Sequence, residues 1–134
     1  MRVVITGIVG RLGRRVAYHV ANEHEVIGID SRNVADLPPN VTHHQIDIRR
    51  RPAEDIFRHR DIDAVIHLGM VHNFRIASER LYARNVMGTE TLLRYVSTYG
   101  VKKLVVLSTA NAYGPSPGNS HYIKEEAPLM ASQR

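Results

Sequence analysis

Val3-Val4-Ile5-Thr6-Gly7-Ile8-Val9-Gly10-Arg11-Leu12-Gly13, followed by Glu25-Val26-Ile27-Gly28-Ile29-Asp30, is the stretch that decides the fold. A short apolar run, Val3 to Thr6, reads as a buried strand. Glycines then recur at every third position, and Leu12 to Asn22 reads as a helix. A second apolar run, Glu25 to Asp30, closes on an acid. Each glycine has a separate task. Gly7 permits a tight turn after the strand, Gly10 lets a pyrophosphate approach the backbone, and Gly13 lets the helix pack close to the sheet. The helix start offers unpaired N–H groups and the positive end of a dipole to phosphates. Asp30 can accept hydrogen bonds from both ribose hydroxyls and repels a 2′-phosphate, which favours NAD over NADP. Arg32 argues the other way, because a guanidinium there can neutralise that phosphate. No Gly-Lys-Ser/Thr follows the loop, so it is not a P-loop. Val9, Arg11 and Leu12 in the loop, and Ser31 beside the acid, complete this group of cofactor-binding candidates.

The remaining chain continues the alternation of short apolar runs with helical stretches that signals a parallel α/β sheet. Ser31 to Asn40 reads as a loop, with Pro38-Pro39 blocking regular structure. Val41 to Ile46 is a third strand, Pro52 to Arg58 a short helix and Asp63 to Leu68 a fourth strand. Ile76 to Tyr99 is a long helix whose apolar stripe is expected at Leu81, Val86, Thr89, Leu92, Leu93 and Val96, with Gly100 as its C-terminal cap. Lys102 to Ser108 is a fifth strand, and after Tyr113 the composition turns loop-like. Right-handed crossovers then give a doubly wound Rossmann sheet of order 3-2-1-4-5, with its ligand cleft between strands 1 and 4.

The chain has 134 residues, fitting one domain, and 43% of them are apolar. It has no cysteine, which excludes disulfides, thiolate metal sites and thiol nucleophiles and suits a cytoplasmic setting. No apolar run approaches the roughly 20 residues of a membrane span, and no signal peptide is evident. The net charge is +5. Arg11, Arg14 and Arg15, and the run Arg49-Arg50-Arg51, read as solvated basic faces, because few aromatic residues lie among them to stack bases. Nucleic acid is therefore not an expected partner. The eight histidines show no ligand spacing; the adjacent His43 and His44 point to opposite faces of a strand, so no metal site is expected.

The spacing Gly7-x-x-Gly10-x-x-Gly13, with four further segments, resembles the extended short-chain dehydrogenases of the NAD-dependent epimerase/dehydratase family. Asp47-Ile48 resembles the pair that meets the adenine. Asp63-Ala-Val-Ile-His-Leu68-Gly69-Met70 resembles the fourth strand and the turn beneath the dinucleotide, with Met70 bulkier than usual there. Asn85-Val-Met-Gly88-Thr89 resembles the family's Asn-x-x-Gly-Thr helix segment. Val105-Val-Leu-Ser108-Thr109-Ala-Asn-Ala-Tyr113-Gly114 resembles the strand bearing the catalytic Ser/Thr. The resemblance thus adds Asp47, Ile48, Leu68, Gly69, Met70, Asn85 and Ser108 to the cofactor candidates. It assigns the catalytic hydroxyl to Thr109, with Ser108 as its neighbour. It implies transient hydride transfer on a sugar nucleotide.

In such enzymes a tyrosine moves the proton, and a lysine four positions on lowers its pKa from a value of about 10. That pair is missing. Tyr99 alone has a lysine at this offset, Lys103, but Gly100 breaks the helix between them. The family's tyrosine would fall at or just past Arg134, and Glu125 to Leu129 resembles the stretch that precedes it. The expectation is therefore an N-terminal portion of a longer enzyme, or a truncated product, whose sheet is incomplete at its C-terminal end. Alone it is expected to be inactive and to self-associate through its bare fifth strand and long helix. The competing expectation is a non-catalytic dinucleotide-binding sensor or scaffold.

Overall fold

The computed structural model describes residues 1–33, 36–71, 75–114 and 121–131. Part of the expected loop after Tyr113 (115–120) and the last three residues lie outside the described residues. Five parallel strands form one sheet in the order β3-β2-β1-β4-β5: β1 (Arg2–Thr6), β2 (Glu25–Asp30), β3 (Val41–Gln45), β4 (Ala64–His67) and β5 (Lys103–Val106). The helices are α1 (Arg11–Val20), α2 (Arg51–His59) and α3 (Ser78–Thr98), and a short 3-10 turn spans Ala110–Tyr113. The strand order is the one expected, and every element lies within a few residues of its expected bounds.

Side chains of a strand alternate between faces, so β1 feeds two cores. Val3 and Ile5 join Ile8, Val26, Ala17 of α1 and Ala21 just past its end in one cluster. Val4 joins Ile27, Ile29 and Val65 against Ala53, Ile56 and Phe57 of α2 and Leu92 and Tyr95 of α3 in the other. Covering both faces explains why β1 and β2 are near-continuous apolar runs. The Phe57 and Tyr95 rings pack 5.3 Å apart, tilted by 38°. At the far ends of these helices Tyr99 donates its hydroxyl proton to Glu54 at 3.0 Å, stitching α3 to α2. Tyr99, the tyrosine with the tempting lysine offset, is thus engaged in helix packing.

Helix ends follow local chemistry. Pro52 sits in the first turn of α2, where its missing N–H costs nothing. Beyond α3, Gly100 has φ +68° and Val101 donates to the Val96 carbonyl at 3.0 Å, closing the helix as expected. The stripe of α3 requires a correction. Val86 and Leu93 are exposed, whereas the sheet-facing positions are Gly88, Leu92 and Tyr95, which recur at helical spacing. Leu81, Thr89 and Val96 are partly buried. Both stripes are apolar, and periodicity alone does not say which one meets the sheet.

Candidate functional site: a cleft at the carboxyl ends of the strands

β1 leads to α1 on one face and β4 leads toward α3 on the other, so the chain diverges between these two strands. Ligands bind at such a divergence in open α/β sheets. A cavity of about 510 Å³ opens there. Its wall includes Gly7, Gly10, Asp30, Ser31, Arg32, Asp47, Ile48, Leu68, Gly69 and Met70 from the sequence-based candidates.

The glycine loop is built by close approach. Gly7 has φ +72°, and a Cβ there would lie 2.7 Å from the backbone of Leu68 and Gly69. The loop after β1 and the turn after β4 therefore touch through bare backbone and form the cavity floor. A Cβ on Gly13 would press on the Gly7 carbonyl and lie 2.7 Å from Ile8 Cα. The first turn of α1 thus seats directly under the loop. Gly10 caps that helix without a side-chain hydrogen bond, and no acid stands in the first turn. The helix start is left available to an anion. Arg11 and Leu12 are exposed there and do not line the cavity.

Asp30 is 8% exposed at the end of β2. Its Oδ2 accepts from the Val9 backbone N–H at 3.1 Å, which ties the loop to the acid. Arg32 closes on the same carboxylate, donating from its backbone N–H (3.0 Å), Nε (3.1 Å) and Nη2 (3.1 Å). Asp47 repeats the arrangement with Arg49, whose backbone N–H, Nε and Nη2 donate at 3.0, 2.9 and 2.6 Å. Hydrogen bonding to this guanidinium holds the Asp47 carboxyl below its ordinary pKa. Arg49 also donates to the Ala83 carbonyl of α3 at 3.2 Å.

The wall between β4 and α3 is a relay of polar groups. Thr89 donates its hydroxyl proton to the Asn85 carbonyl at 2.6 Å, so its oxygen accepts from His67 Nε2 at 3.0 Å. That leaves His67 Nδ1 as the acceptor of the Thr6 hydroxyl at 2.5 Å. The network therefore specifies one neutral tautomer, and burial lowers the His67 pKa. The Asn85 side chain accepts from the Val71 N–H at 2.8 Å and donates to the Val71 carbonyl at 2.9 Å. These bonds orient its amide without ambiguity and hold the turn that carries Gly69 and Met70. Asn85 acts on the cavity through Val71 and is not part of its wall.

Thr109 and Ser108 are exposed just past β5 and are not on the cavity wall. The Thr109 hydroxyl accepts from the Asn111 N–H at 3.3 Å and so caps the 3-10 turn. Thr6, at the head of the glycine loop, and His67, expected in the core or beneath the cofactor, also line the wall, and sequence reasoning missed Ile29, Ile46, Arg49, Val71, Ile76 and Arg84 there. One of these left a signal: Asp47-Ile48-Arg49 has the same Asp-x-Arg pattern as Asp30-Ser31-Arg32. The His67 relay joins residues from β1, β4 and α3, and no local motif marks it. Among the described residues, no three His, Cys, Asp or Glu side chains cluster as metal ligands. Among them, too, no helix is long and apolar enough to cross a membrane.

Comparison with known proteins agrees with this architecture. The chain is 33% identical over 145 residues to a UDP-glucuronate 4-epimerase of Thermodesulfobacterium geofontis, covering 94% of this chain and 45% of that protein. It is 29% identical to the UDP-glucose 4-epimerase of Bacillus subtilis, over 98% of this chain and 43% of that one. The chain therefore spans under half the length of these relatives. Among solved structures, the Bordetella bronchiseptica enzyme WbmG in complex with NAD superposes with a TM-score of 0.76 at 27% identity, covering 85% of this chain and 39% of that one. A short-chain dehydrogenase/reductase superfamily protein from Agrobacterium tumefaciens with bound NAD gives 0.81 at 26% identity, over 98% of this chain and 40% of the other. The sequence profile of the NAD dependent epimerase/dehydratase family matches residues 3–133, and the chain is a member of that family.

Proposed function

We propose that these residues form the NAD-binding part of an epimerase/dehydratase-type oxidoreductase that acts on a sugar nucleotide. The observation that carries this reading is Asp30, buried at the end of β2 and tied by its carboxylate to the glycine loop. In this reading the adenosine ribose meets Asp30. The pyrophosphate lies over Gly7 and Gly10 at the start of α1, and the adenine meets Asp47 and Ile48. The nicotinamide end then runs along Gly69, Met70 and Val71 toward Thr109. NAD supplies the hydride acceptor. This chain's residues bind and orient it, and Asn85 fixes the turn beneath it. The relatives' UDP-sugar 4-epimerase names support a UDP-sugar as the substrate class.

A second reading is favoured by one specific observation. Thr109 stands exposed and away from the cavity wall. That placement suits a dinucleotide-binding module without turnover by these residues. Self-association belongs to this proposal as well, through Val105, Val106 and Leu107 at the edge of the sheet. So does a cytoplasmic setting, which a chain without cysteine suits.

Thermal unfolding with added NAD tests the shared premise. Ligand at a hundred times its Kd stabilises a protein by about 2.7 kcal/mol, which raises Tm by several degrees. An unmoved Tm at millimolar NAD contradicts both readings. Turnover of a UDP-sugar by the purified chain contradicts the module reading, and light scattering that shows a monomer at high concentration contradicts self-association.

A further inference from the structure

Among the described residues, His67 is the histidine that lines the cavity. It is 5% exposed, and both ring nitrogens are engaged. Thr6 lines the same wall, directly before Gly7. Its hydroxyl points its single proton at His67 Nδ1, so it offers the cavity no donor.

The two ends of this relay differ in what they can exchange. The Thr89 proton is committed to the Asn85 carbonyl at 2.6 Å, so His67 Nε2 stays a donor. The Thr6 end is reversible, because a hydroxyl both donates and accepts. A proton added at Nδ1 makes the ring a cation, and Nδ1 then donates to Thr6 Oγ. That releases the Thr6 hydroxyl proton to the cavity. One proton from solvent thus brings the wall a positive charge and a new donor.

In the free protein little offsets the burial of that charge, which holds the His67 pKa down. Thr6 of β1, Val106 of β5 and Thr89 and Asn85 of α3 face or adjoin the ring, and none is charged. Lys103 lies three positions back along β5. Glu54 of α2 is taken by Tyr99 and Arg58, and Glu90 and Arg94 of α3 are exposed. The cavity acids Asp30 and Asp47 are each paired with an arginine, and Arg84 of α3 adds positive charge to the wall.

We propose that His67 is a proton-linked residue of the dinucleotide site: an anionic pyrophosphate on the loop draws a solvent proton onto Nδ1, and Thr6 turns its hydroxyl from His67 to the ligand. This rests on the binding reading given above, which lays the pyrophosphate over Gly7, next to Thr6. Coupling is reciprocal, so the proton and the dinucleotide raise each other's affinity by the same factor. Bound dinucleotide raises the His67 pKa. Affinity is therefore flat at alkaline pH, where neither state holds the proton, and rises as the pH falls through the bound-state pKa.

The test is calorimetric titration of NAD into the chain at about pH 8 and about pH 5.5. Two buffers of different ionisation heat at each pH count the protons taken up. Uptake is expected to be near zero at the higher pH and a substantial fraction of a proton at the lower. Affinity is expected to be about threefold or more tighter at the lower pH, where a full pKa unit of coupling corresponds to about tenfold. His67→Gln keeps a donor toward Thr89 but cannot titrate, and it is expected to lose most of the uptake. The assigned His67 ring resonance of the unaltered chain, titrated by NMR with and without NAD, reads the same coupling without a variant. Its midpoint is expected to rise with NAD. A merely structural His67 would move neither the proton count nor that midpoint. No uptake at the lower pH, a midpoint that NAD leaves in place or lowers, or equal uptake in a folded His67→Gln overturns the proposal and leaves dinucleotide binding standing. Absence of NAD binding at both pH values overturns the binding reading, and this proposal with it.

Discussion

The two sides of the cleft are built to different standards. On the β1 and β2 side, every strand residue after the first of each strand is buried, and Gly7, Gly13 and Asp30 lock the loop from three directions. On the β5 side, Val105 is 59% exposed, and the Thr109 hydroxyl bonds locally, into its own turn. The other edge strand, β3, is different again. It presents Thr42, His43, His44 and Gln45, polar residues that suit an open edge, whereas β5 presents Leu104, Val105 and Val106. The difference shows where the contacts of these residues close upon themselves. The β1 and β2 side is packed among the described residues, whereas the β5 side leaves apolar side chains exposed.

Substitutions of one kind on the two sides should expose this asymmetry most strongly. Ile5→Ala, fully buried in β1, is expected to cost about 2–5 kcal/mol of stability. Val105→Ala, in β5, is expected to cost less than about 0.5 kcal/mol. Urea denaturation of both variants gives the comparison, and equal losses would break it. Gly13→Ala should come next. Its new methyl group meets the backbone of Gly7 and Ile8, neither of which can step aside, and the expected loss is about 2–3 kcal/mol. A midpoint of unfolding equal to that of the unaltered chain would show that the loop is looser than its geometry states.

The smallest effect is a dependence on pH. Burial lowers the folded-state pKa of His67, and His44 shifts in the same direction for the same leading reason. The unfolded chain binds a proton at about pH 6.5, while the folded chain resists until lower pH. Stability is therefore undiminished above about pH 6.5 and falls as the pH drops from there toward the folded-state pKa. The fall is expected between about pH 7 and 5, seen as a decrease in Tm. His67→Gln keeps a donor toward Thr89 but cannot titrate, so it should flatten part of this slope. An unchanged slope in that variant would remove His67 from the account.

Much of this was legible in the sequence, for identifiable reasons. Strand and helix alternate with clear periods, and the positions of Gly7, Gly10, Gly13 and Asp30 fix a βαβ unit, with the tight turn at Gly7 and the close helix packing at Gly13 as expected. The α3 stripe was only half legible. Val86 and Leu93 are as apolar as Leu92, and only packing against β1 and β4 decides which side is buried. The relay from Thr6 through His67 to Thr89 was not legible, because its members are brought together by three separate elements. The Arg32 fork lay between these cases. The acid and the arginine were both visible, but their four-point closure depends on the Val9 amide arriving from the glycine loop.

The central claim is that Asp30 and the glycine loop form a dinucleotide site, and direct titration of NAD into the chain and into an Asp30→Asn variant tests it. Asparagine preserves the shape and removes the charge-assisted acceptor. The account predicts saturable binding at one NAD per chain, weakened by about tenfold or more in the variant. Absence of binding to the unaltered chain, or equal affinity in the two proteins, would contradict it.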